Sequence, residues 1–235
     1  MVKAILFDLG STVWDDYPAE LYQWSVLARL LSNFGIQVTH EEIIAKAYEI
    51  IPTYSPSLTR AIAWQYVNGD REAYFALIAE LVKELKSKLS DPVEFKRLNP
   101  LFPGIPELLA ELARDYPLAV VSQHYAEVER WMEDHEIGDY FKHVTVSGKE
   151  KLYKPDPRLF ERCCQALDVA PQDVMMVGDR LDNDIWPANR LKMTTVRVLA
   201  DPYRCQQPRY HTDMPDYTIE YTTDLPEVLR TQQRT

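Results

Sequence analysis

The chain is expected to be an α/β protein: a three-layer core around a mainly parallel sheet, with a block of helices inserted after the first strand. Three observations predict this. From residue 105 onward, short apolar β-leaning runs alternate with helical patterns of about ten residues, the pattern of βαβ units. Residues 3–8 (Lys3-Ala4-Ile5-Leu6-Phe7-Asp8) form one more such run far upstream. A single strand cannot bury both of its faces, so this one is expected to join the same sheet. Between about 19 and 97, helical periodicity runs on with no strand to interrupt it.

Each element can be justified in turn. After the first strand comes a turn-prone stretch with Gly10, Ser11, Asp15, Asp16 and Pro18. Leu21, Trp24, Leu27, Ala28, Leu31 and Phe34 then recur at steps of three and four, and Gly35 stops that helix. Thr39-His40-Glu41-Glu42 resembles a capping box and starts a second helix. A third runs from about Asp70 to Lys88, with Leu77, Ile78, Leu81 and Leu85 on one face. Beyond Pro103-Gly104 the reading is helix 105–114, strand 117–122, helix 125–135, strand 143–147 and helix 156–167, then strand 173–177, helix 182–191 and strand 193–198. The stretch 199–216 is polar, proline-rich and aperiodic, and long for an internal connection. It reads first as a surface excursion and second as an oligomer or substrate contact. Residues 217–219 read as a last edge strand, and Leu225 to Arg230 as a short helix. The core domain is placed at 1–17 and 99–235, and the helical domain at 18–98, as a lid over the strand ends.

Bulk properties narrow the function. The hydrophobic fraction of 46% and the mixed charge are those of a globular chain. A net charge of -10 argues against binding nucleic acid by phosphate neutralisation, while leaving small anions open if a local cation or metal opposes the field. No apolar run approaches the roughly 18 residues of a membrane span, so no membrane partner is expected. Cys163, Cys164 and Cys205 are too few and too oddly spaced for a disulfide framework and suit a reducing compartment. The opening run meets Asp8 at once and does not read as a signal peptide. The expectation is a cytoplasmic monomer or homodimer.

Four motifs lie at or just beyond predicted strand ends, where parallel sheets bind ligands. Asp8 ends the first strand and suits a nucleophile, a metal ligand or a cap. Ser122 ends the second and can donate to an anion or merely start a turn. Lys154, fixed by Pro155, offers a compact charge for phosphate or a solvated surface amine. In Gly178-Asp179-Arg180-Leu181-Asp182-Asn183-Asp184, three acids within seven residues repel one another unless a cation intervenes. Hard carboxylate oxygens suit Mg²⁺. Asp182 best fits a solvated helix start favoured by the dipole.

In this order and context, the motifs resemble those of the haloacid dehalogenase-like hydrolase superfamily, most of whose members are Mg²⁺-dependent phosphatases. Phe7-Asp8-Leu9-Gly10-Ser11-Thr12-Val13-Trp14-Asp15 looks like its first motif and Gly178 to Asp184 like its fourth. The helical block looks like its C1 cap, and the core would be Rossmann-like. The resemblance covers nearly the whole chain. It implies that Asp8 is the nucleophile and, with the Gly10 carbonyl, Asp179 and Asp184, holds Mg²⁺. It implies that Ser122 and Lys154 bind phosphoryl oxygens, with Gln123 and Thr12 also on the substrate side. Cap aromatics such as Trp14, Tyr17, Tyr22 and Trp24 are then read either as setting substrate choice or as ordinary helix packing.

One position departs from the pattern. Family phosphatases usually carry a second aspartate two residues after the nucleophile, which protonates the leaving group; here Gly10 stands there. Losing a general acid costs on the order of 10²- to 10⁴-fold. Gln123 also stands where asparagine is common. The expected activity is hydrolysis of small phosphorylated metabolites through an aspartyl-phosphate, with leaving groups that need little protonation or with Asp15, Asp16 or His124 supplying the proton. The alternatives are a weakly catalytic protein that binds phosphometabolites or another protein, and a 2-haloacid dehalogenase.

Overall fold

The computed structural model describes residues 2–124 and 128–232. Strand β1 (Ala4–Phe7) is followed by five helices: α1 (Tyr17–Ser32), α2 (His40–Ile50), α3 (Leu58–Tyr66), α4 (Arg71–Leu89) and α5 (Pro92–Leu98). The chain continues through α6 (Ile105–Asp115), β2 (Leu118–Ser122), α7 (Val128–Asp134), β3 (Phe141–Val146), α8 (Ser147–Glu150) and α9 (Pro157–Ala166). It closes with β4 (Val174–Gly178), α10 (Trp186–Arg190), β5 (Thr194–Val198), β6 (Tyr217–Ile219) and α11 (Leu225–Gln232).

The chain divides into two compact units, Met1–Asp15 with Leu101–Thr235, and Asp16–Pro100. In the first, the strands described form one sheet in the order β3-β2-β1-β4-β5-β6. Every pairing in it is parallel. All four residues of β1 are fully buried, which explains the unbroken apolar run: Ala4 and Leu6 face one side, Ile5 and Phe7 the other. On the Ala4 and Leu6 side, Leu159, Phe160, Cys163 and Cys164 of α9 pack with Ala119, Val121, Val174 and Met176. The second unit contains α1 to α5, with Trp24, Leu27 and Leu31 of α1, Ile43 and Ala47 of α2, Ile62 of α3 and Leu77 of α4 buried. The capping box forms as read: Glu42 N–H donates to Thr39 Oγ1 (3.2 Å) and Thr39 N–H to Glu42 Oε2 (2.8 Å). Among the described residues, no helix is long and apolar enough to cross a membrane.

Several expectations need correction. The third strand begins two residues earlier than read, and Ser147 already belongs to a short helix. The expected helix 125–135 is seen as α7, and its first three positions lie outside the described residues. The expected helix 182–191 opens with a π turn over Leu181–Ile185 before α10. Trp14 is a core residue: it is fully buried, bridges to Gly10 and Leu101, and stacks on His135 at 5.8 Å. The surface excursion at 199–216 is confined largely to 207–212. Pro202, Gln206 and Asp213 are buried, and Asn189 of α10 donates to the carbonyls of Thr212 (2.9 Å) and Met214 (2.8 Å).

Candidate active site

Parallel strands end on one rim, and their register decides which residues meet there. Phe7 is paired with Val120 of β2 and Val177 of β4. One step further sets Asp8 between Val121 and Gly178, and its N–H extends the ladder by donating to Val177 C=O at 2.9 Å. Ser122 and Asp179 follow at once on the flanking strands. Residues more than a hundred positions apart thus reach one place through sheet pairing alone.

The loop after Asp8 is tightly wound. The N–H groups of Thr12, Val13 and Trp14 all donate to Leu9 C=O, at 3.2, 2.7 and 3.1 Å, and Ser11 takes a left-handed φ of 53°. Gly10 lies buried inside this loop.

Lys154 is 5% exposed, and its Nζ donates to Asp8 Oδ1 at 2.5 Å and Asp184 Oδ1 at 2.6 Å. Phe160 of α9 lies beneath it, with the ring centroid 5.9 Å from Nζ. Donor oxygens of Asp8, Asp179 and Asp184 all lie within 4.8 Å of one another. Asp184 is clamped by its own loop: Arg180 N–H donates to Oδ2 (3.0 Å), and Asp184 N–H donates back to Arg180 C=O (3.0 Å). Gly178 makes the room. A Cβ there would fall 2.6 Å from Asp184 Cβ and Cγ.

The charges explain the titration. Burial drives the Asp184 carboxyl up to about 6, with Asp8 adding repulsion and Lys154 opposing both. Burial pulls the Lys154 ammonium down, but Asp184 and Asp8 outweigh it and hold the group above its ordinary value. Two like charges at this separation repel by about 3 kcal/mol at an effective dielectric of about 20. One ammonium serves two of three carboxylates, so the set leaves excess negative charge around hard oxygen donors. That chemistry fits Mg²⁺.

The substrate-side residues are arranged differently. Ser122 is fully buried, and its hydroxyl is hydrogen-bonded to Nδ1 of His124. The His124 ring makes edge contacts with Trp14 (5.6 Å) and Trp131 (6.2 Å). Burial, helped by Lys154, pushes this imidazole down to about 4, so it is neutral at pH 7. Gln123 is exposed, and its Oε1 accepts from Asn183 Nδ2 at 3.4 Å. The Thr12 hydroxyl is buried with no hydrogen-bond partner among the described residues, while its carbonyl accepts from Thr222 Oγ1 at 2.5 Å. Asp15 and Asp16 are half-buried, and Asp16 occupies the N-cap position of α1 without a side-chain bond to the helix's first-turn N–H groups. The structure therefore gathers Asp8, Lys154, Asp179 and Asp184, puts Ser122 and Gln123 on the neighbouring strand end, and leaves Thr12 outside that hydrogen-bonded group.

Asp182 is not the solvated helix start expected of it. It is 9% exposed and forked by Arg180, through Nε (3.1 Å) and Nη2 (2.7 Å), and Gln206 Nε2 donates to it at 3.2 Å. Sequence reasoning missed Arg197, Tyr203 and Gln206 as supports of this loop. One signal was available: Arg197 is a charged residue between two valines in β5.

The family model for haloacid dehalogenase-like hydrolases matches residues 2–191. A glyceraldehyde 3-phosphate phosphatase from Methanopyrus kandleri is 28% identical over 239 residues, covering 98% of each chain. An N-acylneuraminate-9-phosphatase from Mus musculus is 24% identical, covering 97% of this chain and 94% of its own. Among solved structures, a HAD phosphatase from Thermococcus onnurineus superimposes with a TM-score of 0.66 at 23% identity, over 97% of this chain and 98% of that one. With the strand-end carboxylates in place and a match over most of its length, the chain belongs to the haloacid dehalogenase-like hydrolase family.

Proposed function

We propose that this protein is a Mg²⁺-dependent phosphohydrolase of small phosphorylated metabolites, working through an aspartyl-phosphate on Asp8. The observation that carries the reading is Lys154 Nζ seated between Asp8 and Asp184, with an Asp179 oxygen in the same cluster. The phosphatase names of the relatives agree with it. Asp8, the Gly10 carbonyl, Asp179 and Asp184 would hold the metal. When bound, Mg²⁺ supplies positive charge that offsets repulsion between the carboxylates and a phosphate dianion.

The chain's own residues do the rest. Lys154 orients the Asp8 carboxylate through its hydrogen bond to Oδ1, and its ammonium opposes the negative charge of the incoming phosphoryl group. Ser122, with its hydroxyl fixed by His124, offers a hydrogen bond to a phosphoryl oxygen. An Asp8 oxygen attacks phosphorus, the phosphorus–oxygen bond to the leaving group breaks, and the leaving oxygen departs as an anion with the bond's electron pair, to be protonated by solvent. Water then attacks the aspartyl-phosphate, releasing inorganic phosphate and restoring Asp8. Position 10 carries no side chain to protonate the leaving oxygen, and His124 is neutral at pH 7. Esters with stable leaving groups, such as aryl, anomeric or acyl phosphates, are therefore favoured.

The test is phosphate release with Mg²⁺ present. p-Nitrophenyl phosphate should turn over at least about 10²-fold faster than a simple alkyl phosphate, the range attached to a missing general acid. Asp8→Asn should abolish both activities. Equal rates on the two esters would defeat the leaving-group account. Phosphate release that survives in Asp8→Asn would defeat the nucleophile assignment. Silence across a broad ester panel would leave a binding protein, and halide release from a haloacid in EDTA would make it a dehalogenase.

A further inference from the structure

The loop that presents Asp179 and Asp184 is held from behind by residues no motif contains. Arg197 lies on β5, directly paired with Gly178 of β4, and is 6% exposed. Its guanidinium spends its donors on backbone carbonyls. Nε donates to Asp179 C=O (3.2 Å), Nη1 to Gln206 C=O (3.0 Å), and Nη2 to the carbonyls of Tyr203 (2.9 Å) and Arg204 (3.3 Å). One side chain thus ties the Asp179 backbone to the 203–206 turn.

That turn grips the loop a second time. Gln206 is 1% exposed. Its Oε1 accepts from Leu181 N–H at 3.0 Å, and its Nε2 donates to Asp182 Oδ1 at 3.2 Å. Tyr203 holds Arg180 twice, through its hydroxyl (3.2 Å to Nη1) and its ring face (centroid 4.3 Å from the guanidinium carbon). Arg180 in turn forks Asp182 and gives its N–H to Asp184. Residues 179 through 182 are each touched by a partner from 197–206, while Lys154 reaches Asp184 from the side of Asp8 and Gln123 accepts from Asn183. The turn also reaches the first motif, since Ser11 Oγ donates to Asp201 C=O at 3.0 Å.

We infer that Arg197 and Gln206 are positioning residues for the metal-binding loop: they fix the backbone of 179–182 so that Asp179 and Asp184 converge on one cation. This rests on the Mg²⁺ reading above and adds to it a brace outside the ligand set. A brace that served stability alone would change the free energy of unfolding and leave cation affinity untouched. One that orients ligands changes affinity in the folded protein, where residues behind metal ligands typically account for 10- to 100-fold.

The experiment is calorimetric titration of the full chain with Mg²⁺, alongside circular dichroism and p-nitrophenyl phosphate kinetics. Gln206→Met and Arg197→Met should weaken Mg²⁺ binding by about 10- to 100-fold. KM for the ester at saturating Mg²⁺ should stay near the wild-type value. Arg197→Lys keeps the charge and some donors and should recover part of the loss. Glu220→Gln breaks an exposed ion pair with Arg204 on the same turn and should leave Mg²⁺ affinity unchanged. Should Arg197→Met fail to fold, Gln206→Met and Arg197→Lys decide. Folded Gln206→Met that binds Mg²⁺ like the wild type, while Asp179→Asn does not bind it, overturns the brace and keeps the metal site. Wild-type protein that takes up no Mg²⁺ overturns both.

Discussion

Gly178 shows how much one atom matters at this rim. Its missing side chain is the space into which Asp184 turns, and a methyl group there would overlap the carboxylate at 2.6 Å. The obstacle is a carboxyl fixed by Lys154 and by Arg180 N–H, so it cannot swing aside without losing both. Gly178→Ala should therefore fold and yet lose about 10²-fold in Mg²⁺-dependent turnover, the scale of a misplaced reacting group. Steady-state kinetics across a Mg²⁺ series will check this. The adjacency of Asp8, Lys154 and Asp184 was legible because Asp8 and Asp184 lie just beyond recognisable strands and Lys154 stands before a proline that fixes the chain. The burial of Asp182 was not, because its partner Gln206 lies in a stretch with no period. Trp14 was misassigned for a similar reason: aromatic residues look alike in sequence whether they line a helix or plug a core.

Elements were easier to read than their ends. Helix α6 and strands β2, β4 and β5 fall within a residue or two of their expected bounds, since Gly, Pro and apolar runs punctuate them sharply. The π turn at Leu181–Ile185 escaped because it depends on the clamp between Asp184 and Arg180 and not on any local preference. The same holds for 199–206, whose order comes from a guanidinium arriving from β5. Helix α9 illustrates a boundary that sequence does fix. Asp156 caps it, accepting from Arg158 N–H at 3.0 Å, directly after the Lys154-Pro155 pair. Asp156→Ala should cost about 1 kcal/mol in urea unfolding while turnover at saturating substrate changes little, because the cap serves the helix and Lys154 keeps its own partners.

At the scale of the whole molecule, acid stability should carry the signature of His124. Its folded value of about 4 lies below the ordinary imidazole value of 6.5. The unfolded chain therefore takes up a proton that the native state refuses, and stability falls as pH drops from about 6.5 to 4. With partial exposure discounted, the loss is about 2 kcal/mol. His124→Asn should remove that part of the pH dependence. Comparing chemical denaturation of the two proteins at pH 7 and pH 4 isolates it, since other titrating groups such as Asp184 are common to both.

The sheet order has one more consequence. Strand β1 lies between β2 and β4, so its ladders close only with residues 118–120 on one side and 174–177 on the other. On the ribosome, this fully apolar segment stays without its sheet neighbours until more than a hundred further residues have emerged. Pairings so distant in sequence form slowly and expose sticky surface meanwhile. The five helices of Asp16–Pro100 emerge during that wait and can fold from contacts within their own stretch, leaving less loose chain for the waiting strand to find.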